Sequence, residues 1–360
     1  MLLLTNIAIQ TFVNNRVLAF SSVLSLCSCC FTTWSIALRT IFFFSPKLHE
    51  ITTRTIISSY IVIQMFPLCT MNGVKLIITG DKLPENPERV LYITNHQSWI
   101  DWLLIEMFAV KSNASGLTSY IIKNSIKYIP YYGLQLYLNG CVYIRRNRQQ
   151  DAVLMGRFSR WLEGKVYNYW IVLFPEGTRF DRNNITMIEK SKQIAVQKGY
   201  APLNNVLFPK PGGFQILTQS LGHYFEAIYD VTIAYPNGDN RIPNFIEFAR
   251  GDITVIHMHI NRVPFNQIAG KIENEEMLHD WLYNTYKEKD NRLEQFYETG
   301  QLANTPSEEY RLSYKYTFPT VCFYLLFCLP LLLTTRGRGF WWKLSVIYVF
   351  GGTLISSIFL

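Results

Sequence analysis

Val17–Leu38 is an uncharged run of 22 residues held between Arg16 and Arg39. At 1.5 Å of rise per residue, a helix of that length crosses a hydrocarbon layer of roughly 30 Å. The residues after it lack a small-x-small cleavage site, so a retained anchor is expected over a removed signal peptide. Further uncharged stretches lie at Thr55–Val74, Tyr316–Thr335 and Leu344–Leu360. Pro67 and several hydroxyl residues weaken the second, which fits a span or an interfacial helix. The last two suggest a hairpin whose turn, 336–343, carries the Trp and basic residues that favour headgroups. The chain is 49% hydrophobic and only 17% charged, against about a quarter charged in ordinary soluble domains. A large apolar load is therefore expected outside any globular core.

Between these ends the pattern changes. Short apolar or alternating runs at 75–78, 90–94, 141–144, 170–174, 206–208, 227–235 and 253–260 read as strands. Helix-period stretches at 149–165, 187–198 and 274–296 separate several of them. The expectation is an α/β fold, a central mixed β-sheet flanked by helices, with N-terminal and C-terminal membrane-associated helices. The α/β domain covers about 75–312, after an N-terminal segment 1–74 and before a C-terminal hydrophobic hairpin 313–360. Loops at 80–87 and 236–244 read as surface turns. Between residues 75 and 315 the sole cysteine is Cys141, which precludes a disulfide framework there and suits a cytosolic face. Arg39, Lys47 and Arg54 also favour the cytosol for the side following the first apolar run.

The net charge of +8 is uneven: Lys111–Lys165 holds nine Lys/Arg against Asp151 and Glu163. Beside membrane segments such a face draws anionic headgroups or an anionic co-substrate. Nucleic acid is disfavoured, because no recognised binding module accompanies the charge.

Two segments carry chemistry. Asn95-His96-Gln97-Ser98-Trp99-Ile100-Asp101-Trp102 follows the strand 90–94 and opens an apolar helix. Residues five apart within one helix point about 140° away from each other. With His96 just outside the first turn, Asp101 folds back to one ring nitrogen, fixing the tautomer and leaving the other nitrogen to take a proton. Ser98-x-x-Asp101 also fits a capping box, in which Asp101 serves only the helix N-terminus. The second segment, Phe174-Pro175-Glu176-Gly177-Thr178-Arg179, ends a strongly apolar strand. Its arginine suits bidentate phosphate contact, and its glycine lets backbone N–H groups approach an oxyanion. Arg145 and Arg146, at the end of 141–144, are further candidates for phosphate or coenzyme A.

These segments resemble the paired signatures of the glycerolipid acyltransferase family that includes the 1-acylglycerol-3-phosphate acyltransferases. Gly140–Arg145 resembles its intermediate arginine motif, and Val206–Phe214 its proline-centred motif. Ala227–Ile233, His257-Met-His259, Arg292–Tyr297 and the C-terminal hydrophobic pair resemble the epsilon-type subgroup. The resemblance implies acyl-CoA as donor, lysophosphatidic acid or another lysophospholipid as acceptor, and direct transfer without a covalent intermediate. It implies a bilayer-bound enzyme of the endoplasmic reticulum or mitochondrion. His96 is then general base and Asp101 its orienter, with Glu176, Gly177, Thr178 and Arg179 at the acceptor. The chemistry asks for no metal and no cofactor beyond acyl-CoA as co-substrate. His257 and His259 share one face of a strand but lack further ligands for zinc. Other classes are a thioesterase or hydrolase, for which no Gly-x-Ser-x-Gly is present, and a non-catalytic membrane scaffold.

Overall fold

Val90-Leu91-Tyr92-Ile93-Thr94 has no polar face, and a strand of that kind must be covered on both sides. The computed structural model describes residues 27–28, 30–129, 132–236, 245–344 and 346. It buries all five of these residues inside an eight-stranded sheet. In chain order the strands are β1 (Lys75–Gly80), β2 (Val90–Thr94), β3 (Thr118–Lys123), β4 (Val142–Ile144), β5 (Trp170–Leu173), β6 (Ala227–Ala234), β7 (Val255–Pro264) and β8 (Glu308–Arg311). Across the sheet the order is β4-β3-β5-β2-β6-β7-β1-β8. The first five run parallel. β7 is antiparallel to β6 and parallel to β1, and β8 closes the edge antiparallel to β1. The sheet is mixed, as the sequence suggests.

The helices are α1 (30–41), then α2 (Pro46–Met65), α3 (Asp101–Lys111), α4 (Tyr132–Leu138), α5 (Arg148–Glu163), α6 (Ile185–Gln197), α7 (Pro211–Leu221), α8 (Phe245–Arg250), α9 (Asn266–Ala269), α10 (Glu275–Thr299) and α11 (Tyr314–Leu333). Residues 335–344 form α12. Alternation along the strands divides the buried side chains between two cores. Tyr92, Trp170 and Tyr229 face α1, α2, α3 and α11. Leu91, Ile171 and Ile228 face α5, α7 and α10.

Three expectations change. Residues 206–208 are not a strand, because their amides go elsewhere: Leu207 N–H donates to the Glu176 carboxylate at 3.0 Å and Phe208 N–H to Ser191 Oγ at 2.8 Å. The uncharged run at 55–74 is largely protein core, with Tyr60, Ile61, Val62, Met65, Leu68 and Cys69 buried. It ends in a π-helical turn, Phe66–Thr70, that includes Pro67. Residues 336–343, expected as a turn, are helical, and α12 leaves the end of α11 at 106°. Among the described residues no single helix is long and apolar enough to cross a membrane. Most of 17–26, 236–244 and 344–360 lies outside the described residues.

Glu106 of α3 is buried on the first face, where its Oε1 accepts from Thr118 Oγ1 at 2.6 Å and from the Tyr120 hydroxyl at 2.7 Å. Its Oε2 has no partner among the described residues. Burial pushes the carboxyl up to about 7, against the pull of the two donors. With the folded value above the ordinary 4.5, folding takes up a proton between the two. The contribution to stability is fully present below 4.5 and is lost as pH rises through 7. Glu106→Gln should flatten the pH dependence of unfolding in that window, by up to about 1.4 kcal/mol per pH unit. Denaturant unfolding from pH 4.5 to 7.5 measures it; parallel curves for the two proteins would mean that Glu106 is ionised in the fold.

Candidate active site

β2 lies between β5 and β6, and all three are parallel, so their C-terminal ends open on one edge of the sheet. Parallel α/β sheets present ligand sites at that edge. The arrangement joins two segments 80 residues apart: the backbone N–H of His96 donates to Glu176 Oε1 at 2.8 Å, and that of Phe180 to His96 O at 2.7 Å.

His96 sits in the irregular stretch before α3, which begins at Asp101. Its Nδ1 is 2.8 Å from Asp101 Oδ2. A carboxylate only accepts, so Nδ1 carries the proton and Nε2 is the nitrogen left for a substrate. The same Oδ2 accepts the backbone N–H groups of Gln97 at 2.8 Å and Ser98 at 3.0 Å. Asp101 thus holds both the turn and the imidazole; the expected capping box does not form, since the N-cap of α3 is Ile100, without a side-chain cap hydrogen bond. Its side chain is 1% exposed and the His96 ring 23%; the acceptor is shielded while the ring remains reachable. Phe174 covers one side of the ring, at 4.3 Å between centroids. The turn is also tied to β6, because Asn95 Nδ2 donates to Ile233 O at 2.9 Å and Asn95 Oδ1 accepts from Ile233 N–H at 2.8 Å. Two residues on, the Tyr235 hydroxyl donates to Asp101 Oδ1.

Glu176 faces inward. It is buried, and its second oxygen accepts the Leu207 N–H at 3.0 Å. Burial raises its carboxyl to about 8 even though these backbone donors pull it down. It braces the 207 loop and the His96 turn, and its oxygens do not face the open side. Gly177, at φ 68°, turns the chain outward, and Thr178 is exposed beside it. Arg179 lays its guanidinium on the Trp99 ring, 3.8 Å from the centroid, where burial pulls its pKa below the ordinary value.

The adjacent arginines part company. Arg145 donates its backbone N–H to Asp151 at 2.9 Å and its side chain lies along α5, 3.4 Å from Gln150 Oε1. Arg146 is in the left-handed region, φ 61°, and its Nη2 donates to Gly177 O at 2.7 Å. A non-glycine residue there costs roughly 1–2 kcal/mol, which the neighbouring contacts must offset. Lys210 also reaches the glycine; a Cβ at position 177 would lie 3.3 Å from its Nζ and 3.6 Å from Arg146 Nη2. Burial, Arg146 and Lys190 all lower the Lys210 pKa, against the opposing pull of the Glu176 carboxylate, as expected where positive charge is concentrated. Sequence reasoning missed Lys210, although a lysine between prolines at the N-cap of α7 is a visible signal. It also missed Tyr235, which follows a buried strand with no polar pattern. His259 is bonded to Thr79 Oγ1 at 3.0 Å and His257 lies against Phe296, on the far side of β6 from the site.

A reachable imidazole held by a buried carboxylate, next to a turn lined with cations, equips a protein to transfer a group onto a hydroxyl near an anion. The family described as Acyltransferase matches residues 75–236 and that described as Acyltransferase C-terminus matches 248–324, so the chain is an acyltransferase. It is 30% identical over 298 residues to 1-acyl-sn-glycerol-3-phosphate acyltransferase epsilon of Mus musculus, covering 79% of each chain. It is 31% identical over 278 residues to probable 1-acyl-sn-glycerol-3-phosphate acyltransferase 5 of Arabidopsis thaliana, covering 75% of this chain and 72% of that one. To lysocardiolipin acyltransferase 1 of Gallus gallus it is 26% identical over 262 residues, covering 72% and 67%. The chain belongs to the 1-acylglycerol-3-phosphate acyltransferase family of glycerolipid acyltransferases.

Gly177→Ala should cost about 1–2 kcal/mol of stability from the left-handed backbone alone. Denaturant unfolding reads this; an unchanged midpoint would mean that the turn does not hold the positive φ.

Proposed function

We propose that the chain transfers a fatty acyl group from acyl-CoA to the sn-2 hydroxyl of 1-acyl-glycerol-3-phosphate, giving phosphatidic acid and CoA. The observation that carries this is the His96–Asp101 pair standing on the same sheet edge as the cations around Gly177. An alcohol is a poor nucleophile at neutral pH. His96 Nε2 takes its proton as the oxygen attacks the thioester carbonyl. The tetrahedral intermediate collapses with cleavage of the carbon–sulfur bond, and the imidazolium returns the proton to the departing thiolate. Asp101 holds the Nδ1–H throughout and stabilises the imidazolium. Base catalysis of this kind supplies typically 10²–10⁴-fold in rate, or about 3–5 kcal/mol of barrier. Arg146, Arg179 and Lys210 hold the acceptor phosphate, with Gly177 and Thr178 in the same turn. Glu176 braces that turn from behind.

No acyl-enzyme is required. Cys141 is unsuited to forming one, since burial pushes its thiol up to about 12. The similarity to lysocardiolipin acyltransferase 1 supports a second reading, in which the acceptor is a larger lysophospholipid. A panel of lysophosphatidic acid, lysophosphatidylinositol and lysocardiolipin with one acyl-CoA separates the two. We place the hydrophobic ends in the bilayer of the endoplasmic reticulum or mitochondrion, with the catalytic domain on the cytosolic side. Phe43, Phe44, Leu326 and Leu333, all at least 71% exposed, support a lipid contact there.

His96→Ala and Asp101→Asn should each lower kcat by about 10²-fold or more, measured as acyl transfer by folded protein. A His96 variant retaining over roughly a tenth of wild-type rate would remove the base. Arg146→Ala should raise KM for the phosphorylated acceptor roughly tenfold, the loss of about one charge-assisted contact. Arg145→Ala should leave it within about twofold, since that side chain lies along α5. Equal effects of the two would unseat the assignment.

A further inference from the structure

Asp101 has two oxygens, and the His96 turn accounts for one of them. Oδ2 accepts from His96 Nδ1 and from the backbone N–H groups of Gln97 and Ser98. Oδ1 is enclosed as well, since Asp101 is buried. Its donor is the hydroxyl of Tyr235, itself buried and one residue beyond β6. A buried carboxylate oxygen left without a donor is strongly disfavoured, so this single O–H fixes how the carboxylate is rotated. The rotation in turn sets the line along which Oδ2 meets the imidazole.

We infer that Tyr235 is a positioning residue of the catalytic pair, extending it to a Tyr235–Asp101–His96 chain of hydrogen bonds. The inference rests on the acyl-transfer reading of the site and adds to it. Tyr235 is well placed to act as a fixed post. Two residues before it on the same face, Ile233 is clamped through both its backbone groups by Asn95. β6 therefore grips the His96 turn on both flanks, at Asn95 and at Asp101. Burial holds the phenol well above its ordinary range, so it stays an O–H donor, and the Ser98 side chain adds a hydrogen bond to it. The bond to Oδ1 also draws charge from the carboxylate, which weakens the pull of Oδ2 on the Nδ1 proton. Other ionisable groups around the pair are Tyr92 of β2, Glu176 and Arg179 of the turn after β5, and Tyr297 of α10. A change confined to the Tyr235 hydroxyl leaves all of them in place.

The test uses the full chain and Tyr235→Phe, which keeps the ring. The expected result is a fall in kcat of about tenfold, with KM for acyl-CoA and for the lysolipid within about twofold. The acidic limb of the kcat/KM profile should move to higher pH, because a carboxylate with one donor fewer stabilises the imidazolium more. A kcat within about twofold of wild type and an unmoved limb would overturn the inference. Incorporation of 3-fluorotyrosine at position 235 keeps the hydroxyl and strengthens its donation, so the limb should move the opposite way; this arm also serves if Tyr235→Phe fails to fold. A measurement without substrate separates the two layers: the pH dependence of His96 modification by diethyl pyrocarbonate, read by mass spectrometry. Its midpoint should rise in Tyr235→Phe, and an unchanged midpoint would defeat the role of Tyr235. Wild-type protein that transfers no acyl group would defeat the proposed function, with the modification midpoint still deciding on Tyr235.

Discussion

Where a strand ends and the chain turns away, its backbone N–H groups lose their sheet partners, and buried donors without partners are costly. Two carboxylates meet that need at this sheet edge. Asp101 accepts the amides of Gln97 and Ser98, and Glu176 accepts those of His96 and Leu207. The turn that displays the imidazole is thereby made rigid by groups lying behind it, and the open side is left to Arg146, Arg179 and Lys210. Desolvation opposes the ionised form of Glu176, raising it to about 8, which marks how enclosed this bracing is.

Strand order supplies the rest of the geometry. β2 has β5 on one side and β6 on the other, so the turn after β2 meets the segments after both neighbours. Neither adjacency follows from sequence distance, since β5 and β6 follow β2 at very different separations. Both motifs were nevertheless legible, because each combines a continuously apolar strand with residues that end it: Asn95 and His96 in one case, Pro175 and Gly177 in the other. The left-handed turn at Arg146 was not legible, because nothing in Arg145-Arg146 tells which side chain the backbone will carry toward Gly177. β8, Glu308–Arg311, was missed because an edge strand needs no apolar alternation, and its charges are what an edge tolerates. β3 was missed where Thr118-Ser119 opens it with small hydroxyl residues, yet both are buried. Val206-Leu207-Phe208 was misleading in the opposite sense: β-rich residues whose amides serve Glu176 and Ser191 instead of a ladder.

Much of the apolar excess of the composition is protein core. α1, α2 and α11 pack on the sheet face that also carries α3, and Trp34 contacts Phe323, Tyr324 and Phe327 at centroid distances of 5.4–5.5 Å. The stretch at 55–74 was ambiguous because burial against protein and burial in lipid select the same residue types. Tyr60 resolves it locally: its hydroxyl donates to Gln135 Oε1 at 2.7 Å and lies 2.8 Å from Ser28 Oγ, a polar contact that the protein interior supplies.

The double attachment of Glu176 limits how this site can vary. Position 176 answers to the stretch around His96 and equally to the loop around Leu207, segments separated by more than a hundred residues of chain. A replacement there disturbs both at once, and no local adjustment on one side can compensate the other. Replacing the outward-facing cations leaves that bracing untouched, while the inward carboxylate is held to its identity by both attachments.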